Sequence, residues 1–330
     1  MKAIKGGKIV VTGGAGFIGS AFVWKLNSEG IDDIIIVDRL GESDKWKNLV
    51  NLRFDDYLHK DAFLNMICDG EAPFAVQAVV HMGACSSTTE RDADYLWKNN
   101  FVYSRQLADW ALRRDIRFIY ASSAATYGDG SRGFSDDDAR IPSLRPINMY
   151  GCSKQVFDLH ILKRGLEKRV AGIKFFNVFG PNEYHKGDMR SVVHKAFGQI
   201  RETGRVRLFK SSRPEYPDGG QMRDFIYIKD CVDALWWLLE HKETNGIFNL
   251  GTGRARSWND LIQAVFAAMD LETKIEYIDM PPGLDGQYQY FTEAKMDKLK
   301  AVGCPVSCRP LEDAVRDYVV GHLQQKDPCL

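Results

Sequence analysis

A doubly wound parallel α/β sheet with a smaller, interleaved α/β lobe is the fold that this sequence predicts. Three observations carry the expectation. Short β-branched runs alternate with helix-length segments through the first half, a glycine-rich turn links the first run to the first helix, and an acidic residue closes the second run.

In chain order, residues 8–12 (KIVVT), 34–38, 52–55, 78–81 and 117–121 read as buried strands, because near-continuous apolar runs of this length suit a sheet covered on both faces. Between them, 17–29, 60–69 and 91–114 have apolar spacing that fits covering helices. In the last, Leu96, Phe101, Leu107, Trp110 and Ala111 supply most of an apolar stripe. Repeated βαβ units imply right-handed crossovers. Two later runs, 170–175 and 246–250, would extend the same sheet. The second half is less regular. Pro214, Pro217 and the Asp218-Gly219-Gly220 turn interrupt it, as does Pro281-Pro282-Gly283, around helices expected at 230–241 and 258–269.

A chain of 330 residues accommodates two ordinary domains or one large core with an added lobe. Hydrophobic residues at 45% and charged residues at 27% exclude general disorder. Forty-four basic residues balance 44 acidic ones, so no nucleic acid and no anionic membrane surface is expected as a partner, since both demand a broad basic excess. A small anionic ligand needs only a local cluster. The longest apolar run, 234–239, falls far short of the ~18 residues of a membrane span. Residues 9–11 are too short for a signal-peptide core. Seven cysteines without a CxxC pair point to reduced thiols, a cytoplasmic setting and no metal site.

The first strand runs into Thr12-Gly13-Gly14-Ala15-Gly16-Phe17-Ile18-Gly19. Gly13, Gly16 and Gly19 allow a tight turn and close approach of a pyrophosphate, with the Phe17 and Ile18 amides at the helix start facing the phosphates. Asp38 follows at the end of the second strand, nineteen residues after Gly19. Strand, glycine turn, helix and acid together form the dinucleotide-binding signature of a Rossmann-type fold. Asp38 alone would favour NAD by accepting from a ribose hydroxyl. Arg39, Lys45 and Lys47 stand close enough to neutralise a 2′-phosphate, so NADP and NAD both remain open. Residues 1–175 are the expected cofactor domain, rejoined by strand 246–250, and 176–330 form most of a substrate lobe.

The fifth strand ends in Tyr120-Ala121-Ser122-Ser123, at the carboxyl edge where open α/β sheets hold ligands. Downstream, Tyr150 and Lys154 are spaced to share one helical face. The Lys154 ammonium, with an oxidised nicotinamide, is expected to bring the Tyr150 pKa down toward neutrality, and Ser123 would donate to an oxygen cycling between alcohol and ketone.

These residues together resemble the extended short-chain dehydrogenase/reductases that act on nucleotide-sugars. Residues 176–181 (FNVFGP) are similar to that group's loop behind the nicotinamide, 223–230 (RDFIYIKD) to its diphosphate-gripping strand, and 249–253 (NLGTG) to a late turn of the substrate lobe. Residues 81–90 (HMGACSSTTE), 121–128 (ASSAATYG) and 183–187 (EYHKG) are in turn similar to the ADP-L-glycero-D-manno-heptose 6-epimerases. The resemblance implies tightly held NADP, inversion at C6 of an ADP-heptose for the lipopolysaccharide inner core, and a homo-oligomer, a pentamer. It makes Tyr150 and Lys186 the two acid/base groups, with Ser123 their hydroxyl partner. Phe17, Ile18, Asp38, Arg39, Lys45, Lys60, Met82, Gly83, Ala84, Cys85, Ser86, Asn99, Lys154 and Val178 would line the NADP site, with Lys186 beside them. Asn177, Asp188, Lys195, Phe209, Lys210, Ser211, Ser212, Arg223 and Tyr288 would face the ADP-sugar. Arg39, Met82, Asp188 and Lys195 stand where that family commonly has Asn, Glu, Ser and His.

A proton on an unactivated secondary alcohol carbon is too weakly acidic for direct removal, which favours inversion through transient oxidation. A 4,6-dehydratase would need an acid/base pair just after Ser123, and Ala124-Ala125-Thr126 offers no carboxylate. A UDP-sugar 4-epimerase shares Ser123, Tyr150 and Lys154 and stays open. A non-catalytic NADP-binding sensor would typically have lost Tyr150 or Lys154. His81 reads as a hydrogen-bonded core histidine. Asp136-Asp137-Asp138 reads as a solvated loop or helix start, and Trp236-Trp237 as core; Cys304 and Cys308 lack metal-ligand spacing. The neutral chain should therefore conceal a basic cleft.

Overall fold

The computed structural model describes residues 6–70, 72–281, 289–305 and 307–330; Pro282, Gly283 and Tyr288 lie outside these. Its centre is a seven-stranded parallel sheet. In chain order it is built from β1 (Lys8–Thr12), α1 (Phe17–Ser28), β2 (Ile34–Asp38), β3 (Asp56–His59), α2 (Lys60–Asp69) and β4 (Val76–His81). Then follow α3 (Ala93–Leu96), a π turn (Trp97–Val102), α4 (Tyr103–Arg113), β5 (Arg117–Ser123), α5 (Met149–Lys163) and β6 (Val170–Phe175). The strand order is β11-β6-β5-β4-β1-β2-β3, with β11 (Gly246–Leu250) arriving late to pair with β6. The order reverses between β1 and β4, and at such a reversal the helices diverge and leave a crevice at the strands' carboxyl ends.

Alternation within the strands explains why both faces are covered. Ile9, Val11, Ile34 and Ile36 point into one apolar layer, Val10, Ile35 and Val37 into the other. Each such side chain contributes about 1.5–3 kcal/mol on burial. One layer is closed by α1, α7 (Ile228–Glu240), α8 (Trp258–Ala268) and α10 (Leu311–Tyr318), the other by α2, α4 and α5.

The third strand falls later than the sequence predicts. Residues 52–55 are its run-in: Leu52 tucks into the core and the Asp55 amide donates to the Ile34 carbonyl at 2.9 Å. Pairing with β2 begins at Asp56. As an edge strand, β3 buries little, so its apolar pattern is weak where the run-in's is strong. The helix expected at 91–114 forms, but the π turn inserts one wide loop of helix between α3 and α4.

The smaller lobe uses three two-stranded sheets. β7 (Asn177–Phe179) pairs with β10 (Phe225–Tyr227), β8 (Val206–Phe209) with β13 (Ile275–Ile278), and β9 (Met222–Arg223) with β12 (Arg256–Ser257). Helix α6 (Val192–Thr203) precedes β8 and α9 (Asp297–Ala301) precedes α10. Asp136 departs from the expected solvated run: it is buried, and its carboxylate accepts from the Asn249 amide at 2.8 Å. Trp236 and Trp237 pack against the core. Among the described residues no helix is long and apolar enough to cross a membrane.

Candidate active site

The glycine turn shows why those positions exclude side chains. Gly13 has φ +67°, and a Cβ there would stand 2.6 Å from the Gly83 Cα; one on Gly19 would stand 2.1 Å from the Gly13 carbonyl oxygen. The start of α1 is thus pressed onto the turn between β1 and β4. Gly16, at its N-cap, supplies no side-chain cap. That open, electropositive helix end lines a cavity of about 820 Å³ through Gly13, Gly16, Phe17, Ile18 and Gly19, a cradle suited to a diphosphate.

Asp38 closes the turn from below. One carboxylate oxygen accepts from the Ala15 amide at 2.9 Å, the other from the Arg39 amide and the Lys45 ammonium at 2.7 Å each. Beside it lies a second cavity of about 290 Å³, lined by Asp38, Arg39, Lys45, Lys60, Gly83, Ala84, Cys85 and Asn99. Gly13, Asp38, Lys45 and Gly83 through Cys85 line both, so the two cavities adjoin. Met82, Ser86 and Val178 line only the larger one. Every residue expected around the cofactor is therefore at one or both cavities, except Lys47, which pairs with Asp44 at 3.0 Å. Tyr95 and Tyr103, which also wall the smaller one, carry no sequence signal.

Tyr150 reaches Ser123 because α5 starts hard against the turn after β5. The Asn148 side chain caps that helix by accepting from the Gly151 amide at 2.7 Å, and a Cβ on Gly151 would stand 2.6 Å from the Ala125 carbonyl oxygen. Ser123 and Tyr150 line the same cavity, near enough for the Ser123 hydroxyl to act on the phenol. Burial is the larger influence on the phenol and pushes its pKa up, while the Ser123 hydroxyl pulls it back down.

Lys154 stands one turn further along the same helix. Its ammonium donates to the Ala121 carbonyl at 2.8 Å, and burial lowers its pKa to about 8. Tyr150 in the free protein is a protonated phenol.

Lys186 enters from another element, the 3-10 turn Tyr184–Met189, which is kinked at Gly187 (φ 53°). Its ammonium lies 5.2 Å from the centre of the Phe17 ring, beside the glycine turn. Burial lowers its pKa and the nearby Glu183 carboxylate opposes that. Glu183 is itself buried, accepting from the Ser191 amide and hydroxyl (2.5 and 2.6 Å) and from the Tyr318 hydroxyl (3.0 Å).

The expected substrate residues separate into two sets. Asn177 and Arg223 line the large cavity; Asp188, Lys195, Phe209, Lys210, Ser211 and Ser212 do not, and Tyr288 lies outside the described residues. Lys195 spends its ammonium on the Asp188 carbonyl at 2.6 Å, so Met189 through Val193 occupy the cavity wall instead. Lys210 pairs with Asp279 at 2.9 Å, and the Ser211 amide donates to Asp218 at 2.8 Å. The Ser212 hydroxyl meets Tyr290 at 2.6 Å, next to the cavity-lining Gln289. His185, Asn148, Trp258, Gln289 and Thr292 join the wall without a sequence signal. Nor is there one for Asn100, whose carboxamide in the π turn bridges the Cys85 backbone to the Ser153 hydroxyl, all at 2.9 Å.

His81 is a buried, neutral histidine between Thr12 (2.5 Å) and Ser104 (2.7 Å), its pKa pushed to about 3 by burial. Among the described residues no cluster could hold a metal ion.

Residues 9–251 match the NAD dependent epimerase/dehydratase family. The chain is 62% identical over 321 residues to an ADP-L-glycero-D-manno-heptose-6-epimerase of Nitratidesulfovibrio vulgaris (strain DP4), covering 97% of this chain and 99% of that one. It is 46% identical over 331 residues to its namesake from Fusobacterium nucleatum, covering 98% and 100%. Among solved structures, the Helicobacter pylori ADP-L-glycero-D-manno-heptose-6-epimerase superposes with a TM-score of 0.81 at 24% identity, over 97% of this chain and 98% of that one. The chain belongs to the NAD dependent epimerase/dehydratase family and, within it, to the ADP-L-glycero-D-manno-heptose-6-epimerases.

Proposed function

We propose that this enzyme inverts C6 of ADP-D-glycero-D-manno-heptose to give ADP-L-glycero-D-manno-heptose, supplying heptose for the lipopolysaccharide inner core. The observation that carries the reading is the meeting of Tyr150, Ser123 and Lys186 with the glycine turn around one cavity. A bound nicotinamide dinucleotide supplies the hydride acceptor and donor and, when oxidised, a positive charge within the cavity.

Tyr150 takes the proton of the C6 hydroxyl as the C6–H pair leaves as hydride, and Ser123 donates to the carbonyl oxygen that forms. The two epimers present this oxygen differently, and Lys186, held on a separate element, protonates it when the hydride returns to the opposite face. Burial lowers the Lys186 pKa, which eases transfer of its proton. Because the phenol pKa is raised in the free protein, the cationic cofactor and the Lys154 ammonium are both needed for Tyr150 to act as a base. Hydride leaves and returns, so no external oxidant or reductant is consumed.

Arg39, Lys45 and Lys60 around the smaller cavity support NADP over NAD, because three cations there suit a 2′-phosphate. Residues 1–175 with strand 246–250 would hold the cofactor, and 176–330 most of the substrate. A homo-oligomer, a pentamer on the family resemblance, and a cytoplasmic setting complete the proposal; sedimentation reads the first. Incubation with ADP-D-glycero-D-manno-heptose, with UDP-galactose as control and NMR at C6, tests the activity. Inversion of the UDP-sugar alone would make the enzyme a 4-epimerase instead.

A further inference from the structure

Behind the active site lies a charged pair that the mechanism above leaves idle. Asp158 and Lys174 are both fully buried, with a contact of 2.5 Å. Asp158 stands on α5 one turn after Lys154, and Lys174 on β6 directly opposite Ser122 of β5. Asp158 collects the Tyr120 hydroxyl on one oxygen (2.9 Å) and the Ser122 hydroxyl on the other (2.7 Å). Between those two residues, the Ala121 carbonyl accepts from Lys154. Lys174 also donates to the Thr126 hydroxyl at 2.8 Å, which donates in turn to the Ser123 carbonyl at 2.8 Å. Residues 120, 121, 122 and 123 are thus each tied, directly or through one partner, to α5 or to the charge buried beneath it.

A buried ion pair is weak support for stability, because desolvation consumes most of the Coulombic gain and an apolar replacement is often neutral. Its placement here gives it another use. We propose that Asp158 is a positioning residue for the epimerisation: it fixes the end of β5, which carries Ser123, against the helix carrying Tyr150 and Lys154, and its charge holds Lys154 as the ammonium. The inference rests on Tyr150 being the acid/base group proposed above.

Among the described residues, Asp158 is the one anion acting on Lys154. From β4 comes His81, which is neutral; from the loop after it, Cys85; from β6, Lys174; and from the facing turn, Lys186. Burial depresses the Lys154 pKa and Asp158 opposes that depression. Removing the anion should therefore lower the pH at which Lys154 loses its proton, and the alkaline limb of the rate profile should move with it.

The test uses the full-length enzyme with Asp158→Asn, which removes the anion and keeps the Lys174 charge in place. NMR of isotope-labelled lysine in this variant should show the Lys154 midpoint lowered by about one pH unit. An unchanged Lys154 midpoint in the folded variant overturns the charge role. Tyr120→Phe keeps both charges and deletes one tether; it should lower kcat about tenfold with KM and the Lys154 midpoint unchanged. Wild-type kcat in Tyr120→Phe overturns the positioning role, and is decisive if Asp158→Asn fails to fold. The lysine titration needs no substrate, so it reads the inference even if the wild-type enzyme proves inactive on ADP-heptose.

Discussion

Tyr150 and Lys186 line the same cavity but stand on different foundations. Tyr150 opens a fifteen-residue helix whose start is capped by Asn148, pressed against the turn after β5 at Gly151, and braced by the buried Asp158–Lys174 pair. Lys186 stands on a short turn kinked at Gly187, held by the buried Glu183 and by Asn182, whose carboxamide reaches Ser20 of α1 at 2.9 Å. The difference teaches how a site can serve two stereoisomers. In the proposed mechanism, one acid/base group is fixed to the sheet whose carboxyl edge forms the crevice. The other belongs to the connection between β7 and α6.

The comparison breaks most sharply on the chemistry. Tyr150→Phe should cut kcat by about 10²- to 10⁴-fold, with bound NADP retained, as read by the absorbance of the purified protein. Epimerisation at near wild-type rate in that variant would remove Tyr150 from the mechanism. Lys186→Met should lose about 10²-fold, and assays run in both directions should show unequal losses, since each epimer relies on it differently. Equal, small losses would reduce Lys186 to a ligand for phosphate.

The next effect is one of pH. Lys154 has its pKa lowered to about 8, so it is an ammonium below that pH and neutral above it. Activity that depends on the ammonium should be full well below pH 8, at half near pH 8 and lost above it, in a kcat profile measured with saturating substrate. A rate still rising through pH 9 would show that the cation is dispensable.

The smallest effects concern the supports. Gly187→Ala forces a side chain into φ 53°, ψ −125°, at a cost of about 1–3 kcal/mol. Because no heavy atom crowds the site, the cost is backbone strain, and kcat should fall with it through the adjoining Lys186. Asn148→Ala removes the cap beneath Tyr150 at a cost of about 1 kcal/mol. Tyr150 has several other restraints, so the thermal midpoint should drop by a few degrees while kcat changes less than in Gly187→Ala. The reverse ranking would mean that the Lys186 turn is the more firmly held of the two.

How much of this was legible follows the range of the interactions. The strands 8–12, 34–38, 170–175 and 246–250 announce themselves because apolar continuity is local. The third strand is displaced because an edge needs little apolar pattern, while the run-in at Leu52 carries one. The π turn escapes because one extra residue in a helix hardly disturbs its apolar spacing. The residues expected around the cofactor were readable as motifs, since glycines, an acid and cations lie within short stretches. Asp188, Lys195 and the 209–212 loop were placed by position alone, and in the fold their polar groups meet local partners instead of the cavity.

By itself the sequence determined the sheet, the glycine turn, the Tyr150–Lys154 spacing and the family, because each depends on residue types close together in the chain. Only the tertiary structure decided that Lys154 turns to a strand carbonyl, that the Tyr150 phenol is raised, and that Asp158 and Lys174 meet under Ser123. These depend on burial and on which distant segments face each other. The exact balance of 44 acidic and 44 basic residues has the same lesson: charge is a sum over the chain, whereas a basic cleft is a matter of where the chain brings it.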